Sequence, residues 1–141
     1  MSRTDYEKLD ESLGELKAQY ESFLTLDEQN LSAVNRRAVK NSVIKCFEIC
    51  YDTLWKHIKR YLKENGLVEL ENSPIHIFRR AHEDLLINKE THWRLVEYNK
   101  IRGNAAYDYS IEKAMQALDK IGGFIEDCMA IHEKMVNKND Q

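Results

Sequence analysis

Apolar residues recur every three or four positions along most of this chain, which is the spacing of one helix face and not of a strand. The first series predicts a helix over about residues 4–26. A second predicts a helix over about residues 30–64, whose broad apolar face favours burial against more than one neighbour. Asn65-Gly66 supplies a left-handed stop at its end. The apolar positions are Tyr6, Leu9, Leu13, Leu16, Tyr20 and Phe23 in the first series, and Ile44, Phe47, Tyr51, Leu54, Ile58 and Tyr61 in the second.

Shorter patterns predict three further helices, each preceded by a capping residue. Ser73-Pro74 is a typical N-cap followed by proline at the first helical position, Asn88 can cap a fourth helix, and Ser110 can cap the last. Gly122-Gly123 lies inside the last helix and predicts a kink or a close helix contact. The apolar positions assigned to the third and fourth helices are Ile77, Phe78, Ala81 and Leu85, and Trp93, Val96 and Ile101.

Long helices with short connections favour an all-α fold, an antiparallel up-and-down four-helix bundle with an additional short helix. One proline and five glycines leave little material for β-turns. A chain of 141 residues is expected to form a single domain over residues 1–141.

Composition narrows the functional class and the expected compartment. The net charge of −3 gives no overall basic field that would steer the chain to nucleic acid or membrane. The sequence after Met1 is polar, which predicts neither a signal peptide nor a membrane span. Three cysteines suit a reducing compartment, so we expect a cytoplasmic protein.

The sequence motifs give little support for a metal site or for a nucleotide-binding loop. Cys46 and Cys50 share a helix face, but two more ligands would have to come from distant residues. Neither G-x-x-x-x-G-K nor G-x-G-x-x-G occurs, so no phosphate loop is predicted. His57 and His132 lie beside apolar seams and are interpreted as structural groups. We therefore expect no metal and no cofactor.

Basic side chains cluster on the second helix and recur later in the chain. They are interpreted either as a solvated face or as a rim that contacts phosphate, because arginine forks match phosphate oxygens. They are Lys56, Lys59, Arg60 and Lys63, followed by Arg79, Arg80, Arg94 and Lys100.

The segment from Lys100 to Ser110 is the most informative for function. It is polar and rich in small residues, and it breaks the helical pattern. It is either an ordinary connection with Asn104 and Asp108 as turn residues or an exposed functional segment that carries Arg102, Tyr107 and Tyr109.

The order of several motifs resembles one known family. Phe47-Glu-Ile-Cys-Tyr-Asp-Thr-Leu-Trp-Lys56 resembles the F-E-x-x-x-[ED]-x-x-W-K helix of nucleotidyltransferase substrate-binding proteins. Ser73-Pro74, Ile77-Phe78-Arg79 and Trp93 follow in the family's order, and residues 102–109 fall where it carries R-x4-H-x-Y. The resemblance implies a bundle of the HEPN superfamily that pairs with a separate minimal nucleotidyltransferase subunit, often in toxin–antitoxin operons.

The motif departs from the family at one position that matters for chemistry. Arg102 matches the family arginine, and Tyr109 matches the tyrosine that a partner can nucleotidylate. Tyr107 stands at the histidine position, and Gly103 stands where asparagine is usual. Many members with an intact motif are metal-independent ribonucleases, but a phenol with a pKa near 10 is a poor general acid or base at neutral pH.

These residues give a leading function and two alternatives. The leading one is a non-catalytic substrate-binding partner of a nucleotidyltransferase, a homodimer that also binds nucleotide or RNA. The alternatives are a ribonuclease toxin with a degenerate R-x4-Y-x-Y motif and a purely structural dimerisation module. The expected site residues are Arg102, Asn104, Tyr107 and Tyr109, supported from the second helix by Glu48, Asp52, Trp55 and Lys56.

Overall fold

The computed structural model describes residues 6–25, 32–107 and 111–139, and the side chains of 104–107, 111–116, 138 and 139 are not part of that description. This part of the chain forms helices and no strand, which confirms the predicted all-α class. None of its helices is both long enough and apolar enough to cross a membrane. The helices are α1 (Glu7–Leu24), α2 (Ala33–Glu64), α3 (Pro74–Glu83), α4 (Lys89–Tyr107) and α5 (Ile111–Asn139).

The long helices pack in the predicted antiparallel order. α1 contacts α2 and α5 along its length, and Tyr6 at its start lies beside His57 and His132 near the ends of those two helices. α4 and α5 run antiparallel. Arg94 of α4 binds Asp127 of α5, and Glu97, which comes later in α4, binds Lys120, which comes earlier in α5. The short α3 packs against α2 and α4. α2 and α5 are thus the two central helices of the bundle.

An aromatic cluster fills the middle of the bundle. The ring of Phe124 on α5 meets Phe47 edge-on at 5.0 Å between centroids and Tyr98 edge-on at 5.3 Å. Tyr51 completes the cluster and also meets Phe78 of α3 edge-on. Edge-to-face pairs stabilise beyond the area that they bury. The cluster therefore joins four helices through one contact region.

Two of the predicted helix-end residues, Asn88 and Gly66, are confirmed. The Asn88 side chain accepts a hydrogen bond from the Thr91 backbone N–H at 2.8 Å, and Gly66 after α2 has a φ of +91°. Ser73 precedes α3 and Pro74 takes its first position, but the Ser73 side chain makes no capping hydrogen bond. The predicted cap Ser110 lies outside the described residues.

Gly122 and Gly123 mark close helix contacts within an uninterrupted helix. A Cβ atom at Gly122 would lie 3.2 Å from the Tyr20 hydroxyl of α1, and one at Gly123 would lie 3.2 Å from the Tyr98 hydroxyl of α4. α5 runs continuously through both positions. The predicted close contact is confirmed, because the two glycines let tyrosines of neighbouring helices approach the α5 backbone.

Two apolar residues assigned to the core are exposed instead. Trp93 is 59% exposed because the buried seam of α4 runs through Leu95 and Tyr98, and Leu95 lies about 200° around the helix from Trp93. Leu85 is 86% exposed because α3 ends at Glu83. The assignment of Trp93 and Leu85 to buried helix faces was wrong.

The prediction that the helical pattern breaks at Arg102 was also wrong for the backbone. α4 continues without interruption from Lys89 to Tyr107. Polar contacts replace apolar ones on this last part of the helix, because Asn99 and Arg102 both bind side chains of α2. Asp108, the second proposed turn residue, lies outside the described residues.

Replacing Leu85 by glycine should stabilise the protein. The Leu86 N–H bonds to the Ala81 carbonyl and the Leu85 N–H to the His82 carbonyl, which is the Schellman arrangement, and it holds Leu85 at a φ of +65°. A side chain in this left-handed region is strained. We expect Leu85→Gly to raise the free energy of unfolding by about 0.5–1 kcal/mol in urea titrations.

Leu85→Ala is the matched control for this prediction. It removes the same exposed side chain but keeps the Cβ atom that causes the strain, so its stability should stay within about 0.5 kcal/mol of wild type. Equal stabilisation by alanine and glycine would contradict the strain argument.

Candidate functional site

Arg102 of α4 lies against two carboxylates of α2. Glu48 and Asp52 are four residues apart and therefore share one face of that helix. The Arg102 guanidinium donates to both carboxylate oxygens of Asp52, at 3.4 Å from Nε and 3.2 Å from Nη2, and its Nη1 lies 3.5 Å from a Glu48 oxygen. The structure thus brings together three of the predicted site residues, which are far apart in sequence.

The environment of Arg102 keeps it charged and partly accessible. Burial lowers the pKa of Arg102, but the hydrogen bonds that it donates to Asp52 and the charges of Asp52 and Glu48 outweigh that effect, and the net shift is upward. About 26% of the side chain stays exposed, whereas Glu48 is buried. The guanidinium therefore neutralises the buried Glu48 carboxylate while about a quarter of the Arg102 side chain remains accessible.

A second polar contact fixes the same part of α4. The Tyr51 hydroxyl donates a hydrogen bond to the Asn99 side-chain oxygen. Burial raises the pKa of Tyr51, the Asp52 charge raises it further, and Arg102 opposes both, so the hydroxyl remains a donor at neutral pH. Asn99 precedes Arg102 by three residues and shares its helix face. Asn99 is not among the predicted site residues, although its spacing of three from Arg102 was a usable signal.

Trp55 and Lys56 do not join this group of polar side chains. Trp55 is buried in the hydrophobic core, and the Lys56 ammonium lies 5.8 Å from the centre of the Trp55 ring. Asn104 and Tyr107 belong to α4, but their side chains lie outside the described part of the chain. Tyr109 itself lies outside the described residues.

Several residues of the basic cluster have structural partners. Lys59 donates to the Asn72 side chain, Arg80 donates to the Val68 carbonyl, and Arg94 binds Asp127 with two hydrogen bonds of 2.8 Å. Lys59 and Lys63 also line a cavity of about 430 Å³ formed with the loop of residues 66–70. These contacts favour a structural role for Lys59, Arg80 and Arg94.

Two of the three cysteines lie together in the core. The Cys50 and Cys128 sulfurs are 3.8 Å apart in the core, and Cys46 is half-buried one turn earlier on α2. A hydrogen bond between the two buried thiols lowers the pKa of Cys50 and raises that of Cys128. Within residues 6–25, 32–107 and 111–139, no three potential metal ligands come together.

Comparisons with known proteins place the chain in a family. A crystal structure of a protein from Thermus thermophilus has a TM-score of 0.75 at 20% identity and covers 90% of this chain and 98% of its own, which shows the same fold. No curated protein matches. The family model described as nucleotidyltransferase substrate binding protein like matches residues 4–137, nearly the whole chain. The chain therefore belongs to the family of nucleotidyltransferase substrate-binding-like proteins.

Proposed function

We propose that this protein is the substrate-binding partner of a separate minimal nucleotidyltransferase, and that the transfer chemistry resides in that partner. The family match over residues 4–137 supports a nucleotidyltransferase context. In this proposal the protein is a cytoplasmic homodimer of the HEPN superfamily, and with its partner it forms a toxin–antitoxin pair.

The contact of Arg102 with Asp52 and Glu48 is the observation that carries the proposed site. A guanidinium already bound by two carboxylates is held in a fixed orientation, and in this proposal the accessible quarter of the Arg102 side chain receives one further anion. A phosphate group of a nucleotide or RNA is such an anion, and guanidinium N–H groups bind it through charge-assisted hydrogen bonds. Arg102 would bind this phosphate while Tyr109, seven residues later, accepts the nucleotidyl group.

Co-expression with a minimal nucleotidyltransferase tests the proposal directly. The two proteins should co-purify, and α-labelled ATP should transfer label to this chain in a Tyr109-dependent manner. We expect Arg102→Ala to reduce the initial labelling rate at least about tenfold, because it removes the phosphate contact. Arg37→Ala, an equal change of charge at an exposed position of α2, should leave the rate unchanged. A wild-type rate in Arg102→Ala would contradict the site, and failure to co-purify would contradict the partnership.

The same variants separate this function from ribonuclease activity. With tyrosine at position 107, we expect no appreciable cleavage of a fluorogenic RNA by the wild type. Tyr107→His should gain partial cleavage if the remaining arrangement is kept, and Arg102→Ala in that background should lose it. Robust Arg102-dependent cleavage by the wild type would favour the ribonuclease alternative instead.

A further inference from the structure

We propose that the α3–α4 arm carries a stacking surface for an unpaired nucleobase, formed by the rings of His82, His92 and Trp93 with Arg79 as the adjacent phosphate contact. We call these three rings the ring strip. The inference goes beyond the proposed function, because it concerns a different face of the protein and binding by this chain alone.

The ring strip is continuous from one helix to the next. The imidazoles of His82 on α3 and His92 on α4 stack with centroids 5.5 Å apart and planes 17° from parallel. The His92 ring then contacts the Trp93 ring at 5.3 Å, with the two planes tilted by 57°. Trp93 is 59% exposed and ends the strip at the surface. A base that stacks on the exposed indole would thus add to a set of ring contacts that already links α3 to α4.

Packing of the bundle gives no structural reason for an exposed indole at this position. The buried residues of α4 that face its neighbours are Leu95 and Tyr98, and Trp93 lies on another side of the helix. An exposed tryptophan is a common anchor of binding surfaces, because it offers a large rigid area with little loss of conformational freedom. The indole is therefore free to contact a ligand without a change in the fold.

Charge beside the strip favours a nucleotide over a purely apolar partner. The Arg79 side chain is 60% exposed, and its guanidinium lies 3.1 Å from His76 Nδ1. Its carboxylate contact is Glu83 at 4.0 Å, with both side chains largely exposed, and such surface pairs are weak and exchangeable. Arg80 and Arg94, in contrast, are bound to backbone carbonyls and to Asp127.

The surroundings of His92 disfavour its charged form. Burial lowers the pKa of His92, and the nearby His82 and Arg79 lower it further. The Arg79 guanidinium is the permanent cation beside the rings, so the phosphate and the base would contact separate groups. Single-strand binding surfaces divide the two contacts in the same way: aromatic rings stack on bases of any sequence, and cationic side chains bind the phosphate backbone.

Fluorescence anisotropy with a labelled oligoadenylate tests the surface with the chain as it exists. We expect saturable binding, at least about tenfold weaker in Trp93→Leu and only slightly weaker in Trp93→Phe, because phenylalanine keeps a stacking ring. Arg79→Ala should weaken binding and flatten its dependence on salt. Since Trp55 is buried, quenching of tryptophan emission by AMP reports on Trp93. Comparable affinity for AMP and the oligonucleotide identifies a mononucleotide site, and binding of the oligonucleotide alone identifies an RNA end.

Other results of these experiments would overturn the proposed stacking surface. The absence of saturable binding of both probes at low salt would overturn the proposal, as would equal affinities of the Trp93→Leu and Trp93→Phe variants. Loss of partner capture in Trp93→Leu without nucleotide binding would assign the surface to a protein contact and overturn it as well. Because Trp93 is exposed, the variants should keep the wild-type melting temperature. The two nucleotide-binding assays use this chain alone, and only the capture experiment needs the nucleotidyltransferase.

Discussion

Phe124→Ala is expected to lower the free energy of unfolding by about 3–5 kcal/mol, the usual cost of removing a buried aromatic ring. Phe124 is fully buried, and its ring meets Phe47, Tyr51 and Tyr98. Alanine would leave a cavity among three helices that a packed core cannot close completely. The melting temperature should fall by roughly 10 °C or more. Differential scanning calorimetry and urea titration measure both quantities.

The effect should extend from the core to the candidate site. Phe124 supports Tyr51 and Tyr98, whose hydroxyls bind Asn99 and Asp127. Trp93→Ala, which removes an exposed aromatic ring from the same bundle, is the matched control and should change stability by less than about 0.5 kcal/mol. Equal losses in the two variants would show that the aromatic cluster is not the main packing contact of α5.

Asp127→Ala should be the next most damaging change, with a loss of about 2–4 kcal/mol. The buried Asp127 carboxylate accepts two hydrogen bonds from Arg94 and one from the Tyr98 hydroxyl, all at 2.8 Å. These bonds join α5 to α4, the helix that carries Arg102. Burial raises the pKa of Tyr98 and the hydrogen bond to Asp127 raises it further, so its hydroxyl stays protonated and would lose its acceptor.

A double-mutant cycle gives this prediction its control. Tyr98→Phe removes one of the three hydrogen bonds and should cost about 1 kcal/mol. The double variant should be less destabilised than the sum of the two single variants, because both changes act on the same carboxylate. Chemical denaturation of the four proteins measures the coupling. Strict additivity, or a loss below about 0.5 kcal/mol in Asp127→Ala, would contradict a shared network.

The fold was predictable because its main signal is local. Helix periodicity is set by residues three and four apart, and the core residues of α1, α2 and α5 follow it closely. Trp93 and Leu85 show where this signal fails. An apolar side chain does not reveal which side of a helix its neighbours will cover, and the exact end of α3 decided the exposure of Leu85.

The candidate site was predictable only in part. The family motif identified Arg102, and the F-E-x-x-x-[ED] pattern identified Glu48 and Asp52. These three residues were predicted to form one site. The geometry of their contact could not be derived from sequence spacing, because Arg102 and Asp52 are 50 residues apart. Asn99 was missed since its partner, Tyr51, looks from the sequence like one more apolar seam residue.

The sequence by itself determined the helices, the helix ends at Gly66 and Asn88, and the apolar faces that build the core, since each depends on neighbours within one or two turns. Only the tertiary structure decided the polar pairs between helices: Arg102 with Glu48 and Asp52, Asn99 with Tyr51, and Asp127 with Arg94 and Tyr98. It also decided that Trp93 remains exposed. The physical reason is that these features depend on how the helices are rotated and aligned against one another, which no single helix encodes.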